Sequence, residues 1–137
     1  MKVLYTAIAT AEGGRDGAAR SLDGNLDVRI VPPKELGGPG DGTNPEQLFA
    51  AGYAACFQSA MHLVAKSQGH DLTDSSVTAE VDLGANANGT FGLGVRLLVS
   101  VPELDGAATQ QLLEATHRVC PYSNATRGNI EVELIVE

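Results

Sequence analysis

Residues 44–65 read NPEQLFAAGYAACFQSAMHLVA. The opening Asn44-Pro45-Glu46-Gln47 is a helix start: Asn44 suits the N-cap, Pro45 has no amide hydrogen to leave unpaired, Glu46 faces the positive dipole end and Gln47 stands in the capping-box place. Gly69 supplies the stop, which predicts a helix to about Ser67. From Leu48 to Ala65 the run is apolar almost all round, interrupted mainly by Gly52, Gln58, Ser59 and His62, the pattern of a helix buried on several sides. A membrane span is not expected, because the run barely reaches the roughly 20 residues needed, is mostly alanine and carries those polar positions. Ala50, Ala51, Gly52, Ala54, Ala55 and Ala60 let a second helix come close. Covering so apolar a helix within 137 residues is hard, and a two-fold dimer is the economical solution.

Upstream of this helix, residues 3–10 and 26–31 are rich in strand formers, and Asp16-Gly17 and Asp23-Gly24 are hairpin-turn dipeptides, so a three-stranded meander is expected. Pro32-Pro33 and the glycine-rich Leu36 to Thr43 read as loop, without the Gly-Lys-Ser/Thr ending of a phosphate loop. Downstream, period-two patterns over 76–84 and 92–101 predict two strands joined at Asn88-Gly89. A second helix from about Gly106 to Val119 would bury Ala108, Leu112, Ala115 and Val119, and Pro121 would close it. Ile130 to Val136 alternates as a last strand. The order βββ-α-ββ-α-β makes an α+β protein with mostly antiparallel sheet, expected to form one domain over residues 1–137.

Nine Lys and Arg against 17 Asp and Glu give a net charge of -8, which repels phosphate backbones and anionic membranes. Neither nucleic acid nor a membrane is an expected partner. Met1 to Thr10 contains no signal-like apolar block with a cleavage site, so the expected compartment is the cytoplasm. There, two cysteines more often mean free buried thiols, a metal site or redox chemistry than a structural disulfide.

Cys56 lies inside the apolar helix and Cys120 immediately before Pro121. Burial raises a thiol pKa, so Cys56 needs a cation nearby if it is to react; otherwise it is an inert core residue. Cys120, at the negative end of the second helix, suits attack on a sulfenic acid better than the opening step, which leaves Cys56 as nucleophile and Cys120 as its resolving partner. Arg15, in Gly13-Gly14-Arg15-Asp16-Gly17, is either a solvated turn residue or a thiolate-stabilising cation. Glu46 is equally well explained as a first-turn acid. His117 and Cys120, with His62 or Cys56 added, could hold a metal, but no paired Cys-x-x-Cys supports it, and His62 reads as a satisfied core histidine.

Three separated motifs carry a resemblance: Gly37-Gly38-Pro39-Gly40, Thr43 to Phe57 (TNPEQLFAAGYAACF) and Arg118 to Asn129 (RVCPYSNATRGN), in order and with the Gly-Gly-Arg-Asp-Gly turn. Together they strongly resemble the organic hydroperoxide resistance proteins of the OsmC-like superfamily, over essentially the whole chain. Gly52-Tyr53 and Pro121-Tyr122-Ser123-Asn124 look more like this branch than like its osmotically inducible sister. The resemblance implies a thiol peroxidase acting as an intertwined homodimer, with Cys56 peroxidatic, Cys120 resolving, and Arg15 and Glu46 catalytic. It implies no bound cofactor and no metal, and re-reduction by an external dithiol, dihydrolipoamide or a lipoylated protein, rather than thioredoxin.

In that setting Arg15 would lower the Cys56 pKa while Glu46 fixes its guanidinium. Glu46 and Cys56 stand ten residues apart on one helix, about 15 Å at about 1.5 Å per residue, so Glu46 is expected to serve the site of the partner subunit. Phe49, Tyr53, Phe57 and Met61 would form either an apolar wall for bulky hydroperoxides or ordinary core. Two competing readings are a non-catalytic redox-sensing or ligand-binding dimer with a switch disulfide, and a metal-binding domain using His117 and Cys120.

Overall fold

A computed structural model describes all residues, Met1–Glu137. The chain forms two compact units, Met1–Leu48 and Phe49–Glu137.

The first unit is built on the expected meander, β1 (Ala9–Glu12), β2 (Gly17–Ser21) and β3 (Asp27–Ile30), antiparallel throughout. The strand expected over residues 3–10 starts only at Ala9. The reason is the length of its partner: the ladder ends at Ala9 opposite Ser21, with one further bond from the Leu22 amide to the Ile8 carbonyl. Val3, Leu4, Tyr5 and Ile8 are therefore left exposed. The first turn also sits earlier than Asp16-Gly17. It runs over Gly13–Asp16, where Gly13 and Gly14 take the positive φ angles of 77° and 58° and the Asp16 amide bonds to the Gly13 carbonyl. Gly17 instead opens β2, where a Cβ would lie 1.9 Å from the Glu12 carbonyl oxygen. A short 3₁₀ turn at Lys34–Leu36 precedes the glycine-rich loop.

The long helix α1 runs Pro45–Ser67, and Gly69 follows it at φ 82°. Asn44 caps it as expected, its Oδ1 accepting from the Gln47 amide at 2.9 Å. The Gln47 side chain does not complete a capping box but accepts from Thr43 Oγ1 at 2.8 Å. By length and a mean hydropathy of 1.3, α1 has the composition of a helix that could cross a membrane. Its inward stripe is nonetheless that of a core helix.

In the second unit, β4 (Ser76–Ala85) and β5 (Phe91–Ser100) form a long antiparallel hairpin. Next come α2 (Gly106–Val119), α3 (Pro121–Thr126) and β6 (Val132–Val136). β6 lies parallel to β5, Val95 opposite Val132, because the two helices between them form a crossover that carries the chain back to the starting end of the sheet. The core joins Tyr53, Phe57, Met61 and Ala65 of α1 to Val95, Leu97 and Val99 of β5 and Leu112 and Leu113 of α2.

Burial of α1, expected on several sides, is thus confined within one chain to a single stripe, with Ala51, Ala55 and Leu63 exposed on the other side. On α2 the buried face is Thr109, Leu112, Leu113 and Thr116 rather than the expected Ala108, Leu112, Ala115 and Val119. The two threonines can face the core because their hydroxyls donate to the Asp105 and Leu112 carbonyls, each at 2.8 Å. Val119 is exposed instead.

Candidate active site

Pro121 excludes helical geometry from the residue before it, and Cys120 accordingly takes φ −62° and ψ 124°. The same proline then begins α3, a helix the Ser-Asn-Gly-rich sequence disguises as a turn. Cys120 therefore lies between the C-terminus of α2 and the N-terminus of α3, and the purely negative dipole setting expected for it is corrected.

This bend brings Cys120 to the side of α1 that carries Cys56. The two Sγ atoms are 3.7 Å apart, both thiols free, with Cys120 fully buried and Cys56 half-buried. Burial pushes the Cys56 thiol up; the nearby Tyr122 backbone works against it, and the Cys120 contact adds to the rise.

Tyr122, which sequence reasoning gave no role, packs its ring 6.0 Å from Phe49 and 5.6 Å from Tyr53, centroid to centroid. Gly52 leaves the room: a Cβ there would stand 2.9 Å from the Tyr122 hydroxyl. Ser123, the next residue, is wholly buried and shares its hydroxyl between Tyr53 Oη at 2.9 Å and His117 Nδ1 at 2.8 Å. Tyr53 Oη also meets Thr126 Oγ1 at 3.2 Å. Burial, and secondarily the charge of Arg127, hold His117 below its ordinary pKa. Tyr122 and Ser123 lie inside the RVCPYSNATRGN motif, but Tyr53, the partner of Ser123, lies 70 residues away and only folding reveals the contact.

The apolar wall expected of Phe49, Tyr53, Phe57 and Met61 is corrected by their burial. Tyr53, Phe57 and Met61 are fully enclosed in the core, and only Phe49 keeps some exposure. His62 is exposed rather than core-facing, satisfied by Ser75 Oγ at 2.9 Å from Nε2. His117, a candidate metal ligand, spends Nδ1 on Ser123.

In the first unit, Arg15 projects from the β1–β2 turn and meets Glu46 of the first turn of α1. The pair is bidentate, Nη1 to Oε2 at 2.8 Å and Nη2 to Oε1 at 2.6 Å. The Arg15 bond holds the Glu46 carboxyl below its usual range, and in return Glu46 raises Arg15 further. What results is a guanidinium of fixed orientation with part of its surface open, its side chain 43% exposed.

Residues 38–135 match the family described as "OsmC-like protein". The chain is 56% identical over 135 residues to the "Organic hydroperoxide resistance protein" of Xanthomonas axonopodis pv. citri (strain 306), spanning 97% of this chain and 94% of the relative. Among solved structures, an organic hydroperoxide resistance protein from Legionella pneumophila superposes with a TM-score of 0.94 at 51% identity, covering 99% of both chains. Another, from Vibrio cholerae O1, gives 0.95 at 46% identity over 99% of this chain and 94% of its own, and holds captopril in one of its active sites. Motif order, α+β architecture and these likenesses agree: the chain belongs to the OsmC-like family, in its organic hydroperoxide resistance branch.

Proposed function

We propose that the chain is a thiol-dependent peroxidase that reduces organic hydroperoxides to alcohols, acting as a homodimer in the reducing cytoplasm. The observation that carries this reading is the 3.7 Å separation of two free sulfurs, one half-buried and one fully buried. Access, rather than the dipole, supports the order: the half-buried Cys56 meets substrate and the enclosed Cys120 waits.

The Cys56 thiolate attacks one peroxide oxygen; the O–O bond breaks, the alkoxide takes a proton and leaves as alcohol, and Cys56 becomes a sulfenic acid. Cys120 then attacks that sulfur, expelling water and closing the disulfide. Two electrons and two protons from an external dithiol, dihydrolipoamide or a lipoylated protein, restore both thiols. Since burial raises the Cys56 pKa, the thiolate needs a cation, and Arg15 oriented by Glu46 is the one the family resemblance assigns.

Steady-state assays with cumene hydroperoxide and dihydrolipoamide test the reading. Many turnovers per chain, with kcat/KM higher for cumene hydroperoxide than for hydrogen peroxide, are expected. Oxidation that stops after one equivalent would instead mark a redox sensor.

A further inference from the structure

Cys120 is the single residue on which α2 turns into α3. Its amide donates to the Thr116 carbonyl as the last bond of α2, and its carbonyl accepts from the Asn124 amide as the first of α3, each at 2.9 Å. Its own backbone is extended between two helix ends, so the direction of its side chain follows the angle at which those helices meet. Two bonds cross this bend. Ser123 Oγ, three residues after Cys120, meets His117 Nδ1, three residues before it, at 2.8 Å, and Arg127 Nη2 donates to the His117 carbonyl. A third bond ties the bend to the helix that carries Cys56: Tyr53 Oη, three residues before that thiol on α1, meets the same Ser123 Oγ at 2.9 Å. Tyr53 and Ser123 are fully enclosed, and none of the buried side-chain polar atoms lacks a partner. A buried network satisfied throughout fixes the placement of the elements it joins.

Resting on the reading of Cys56 as the nucleophile and Cys120 as its resolving partner, we propose that Tyr53, Ser123 and His117 are positioning residues for the resolving step, a clamp on the α2–α3 bend that holds the Cys120 sulfur within reach of Cys56. None of the three bonds to either sulfur; they act by setting where the bend sits against α1. The sulfurs stand 3.7 Å apart and must close to about 2.05 Å in a disulfide. A shift of about 1 Å at the bend is therefore expected to slow resolution on the order of tenfold or more. Resolution has a competitor. The Cys56 sulfenic acid either meets the Cys120 thiolate, which attacks its sulfur, expels the oxygen as water and closes the disulfide, or it meets a second hydroperoxide, which transfers one oxygen to the sulfur, leaves as alcohol and gives the sulfinic acid. A bend held in place favours the reversible branch over the irreversible one.

The test is the fate of Cys56 in reduced protein given excess cumene hydroperoxide without reductant, read by mass spectrometry in the wild type, Tyr53→Phe, His117→Ala and His117→Asn. The wild type is expected to stop at the disulfide. Tyr53→Phe keeps the ring and removes one oxygen, so it remains informative even where His117→Ala fails to fold. In Tyr53→Phe and His117→Ala the ratio of Cys56 sulfinic acid to disulfide is expected to rise on the order of tenfold, because the sulfenic acid waits longer for Cys120. The ratio, unlike the overall rate, separates resolution from the capture of the first peroxide. His117→Asn places an amide near the position of Nδ1 and is expected to return the ratio towards that of the wild type. An unchanged ratio in folded Tyr53→Phe would overturn the proposal, as would an equal rise in His117→Ala and His117→Asn. Failure of the peroxidase reading itself would look different, as a wild type that keeps two unreacted thiols.

Discussion

Charge at Glu46 has two consequences that a single isosteric change separates. Arg15 holds the Glu46 carboxyl below its ordinary 4.5, so the pair stabilises the fold fully above that value, and the contribution is lost as pH falls through the lower folded-state pKa. Glu46→Gln removes this acid-side dependence. The pair is partly open to water, so the change at pH 7 is expected to stay within about 1 kcal/mol of stability by urea denaturation. Activity should fall much further. The fork geometry at 2.8 and 2.6 Å orients the guanidinium, and an unoriented cation is expected to cost on the order of tenfold or more in kcat/KM for cumene hydroperoxide. Loss of stability without loss of activity would mean that Glu46 is only a first-turn acid.

At the scale of elements, α1 depends on its cap. Asn44 is buried and spends its side-chain oxygen on the Gln47 amide, so Asn44→Ala is expected to lower stability by about 1 kcal/mol, visible as an earlier urea midpoint with unchanged slope. An unshifted midpoint would mean that tertiary packing, not the cap, fixes where the helix begins. That cap, the long hairpin and the stop at Gly69 were legible because each depends on neighbours in sequence. The parallel direction of β6 was not, since it depends on how α2 and α3 carry the chain back across the sheet. α3 was hidden because Pro121 reads as a terminator although it is equally an initiator, as it is here. Likewise burial of Thr109 and Thr116 on α2 depends on hydroxyls satisfied by carbonyls one turn earlier, which the apolar pattern does not show. For the site, residue types and resemblance named both thiols and the Arg15–Glu46 pair, whereas the contacts of Tyr53, Ser123 and His117 required the fold.

On the scale of the whole molecule, the chain is acidic yet leaves large apolar side chains uncovered. Tyr5, Ile8, Leu22 and Leu26 line an open groove in the first unit, and Leu63 of α1 is exposed in the second. A second copy of the chain is the partner that family resemblance supplies. Sedimentation equilibrium is expected to give about twice the 14.2 kDa of one chain, and a monomer at micromolar concentration would contradict the dimer. The Arg15–Glu46 bond lies within one chain, so if the pair serves the partner's thiols, both residues cross together. The pairing of Cys56 as nucleophile with Cys120 as its resolving partner is tested most directly by intact mass and free-thiol count after adding one equivalent of cumene hydroperoxide to reduced, reductant-free protein. Loss of both thiols with a mass fall of about 2 Da is expected for the Cys56–Cys120 disulfide. Two unreacted thiols at unchanged mass would show an inert core pair and contradict the mechanism.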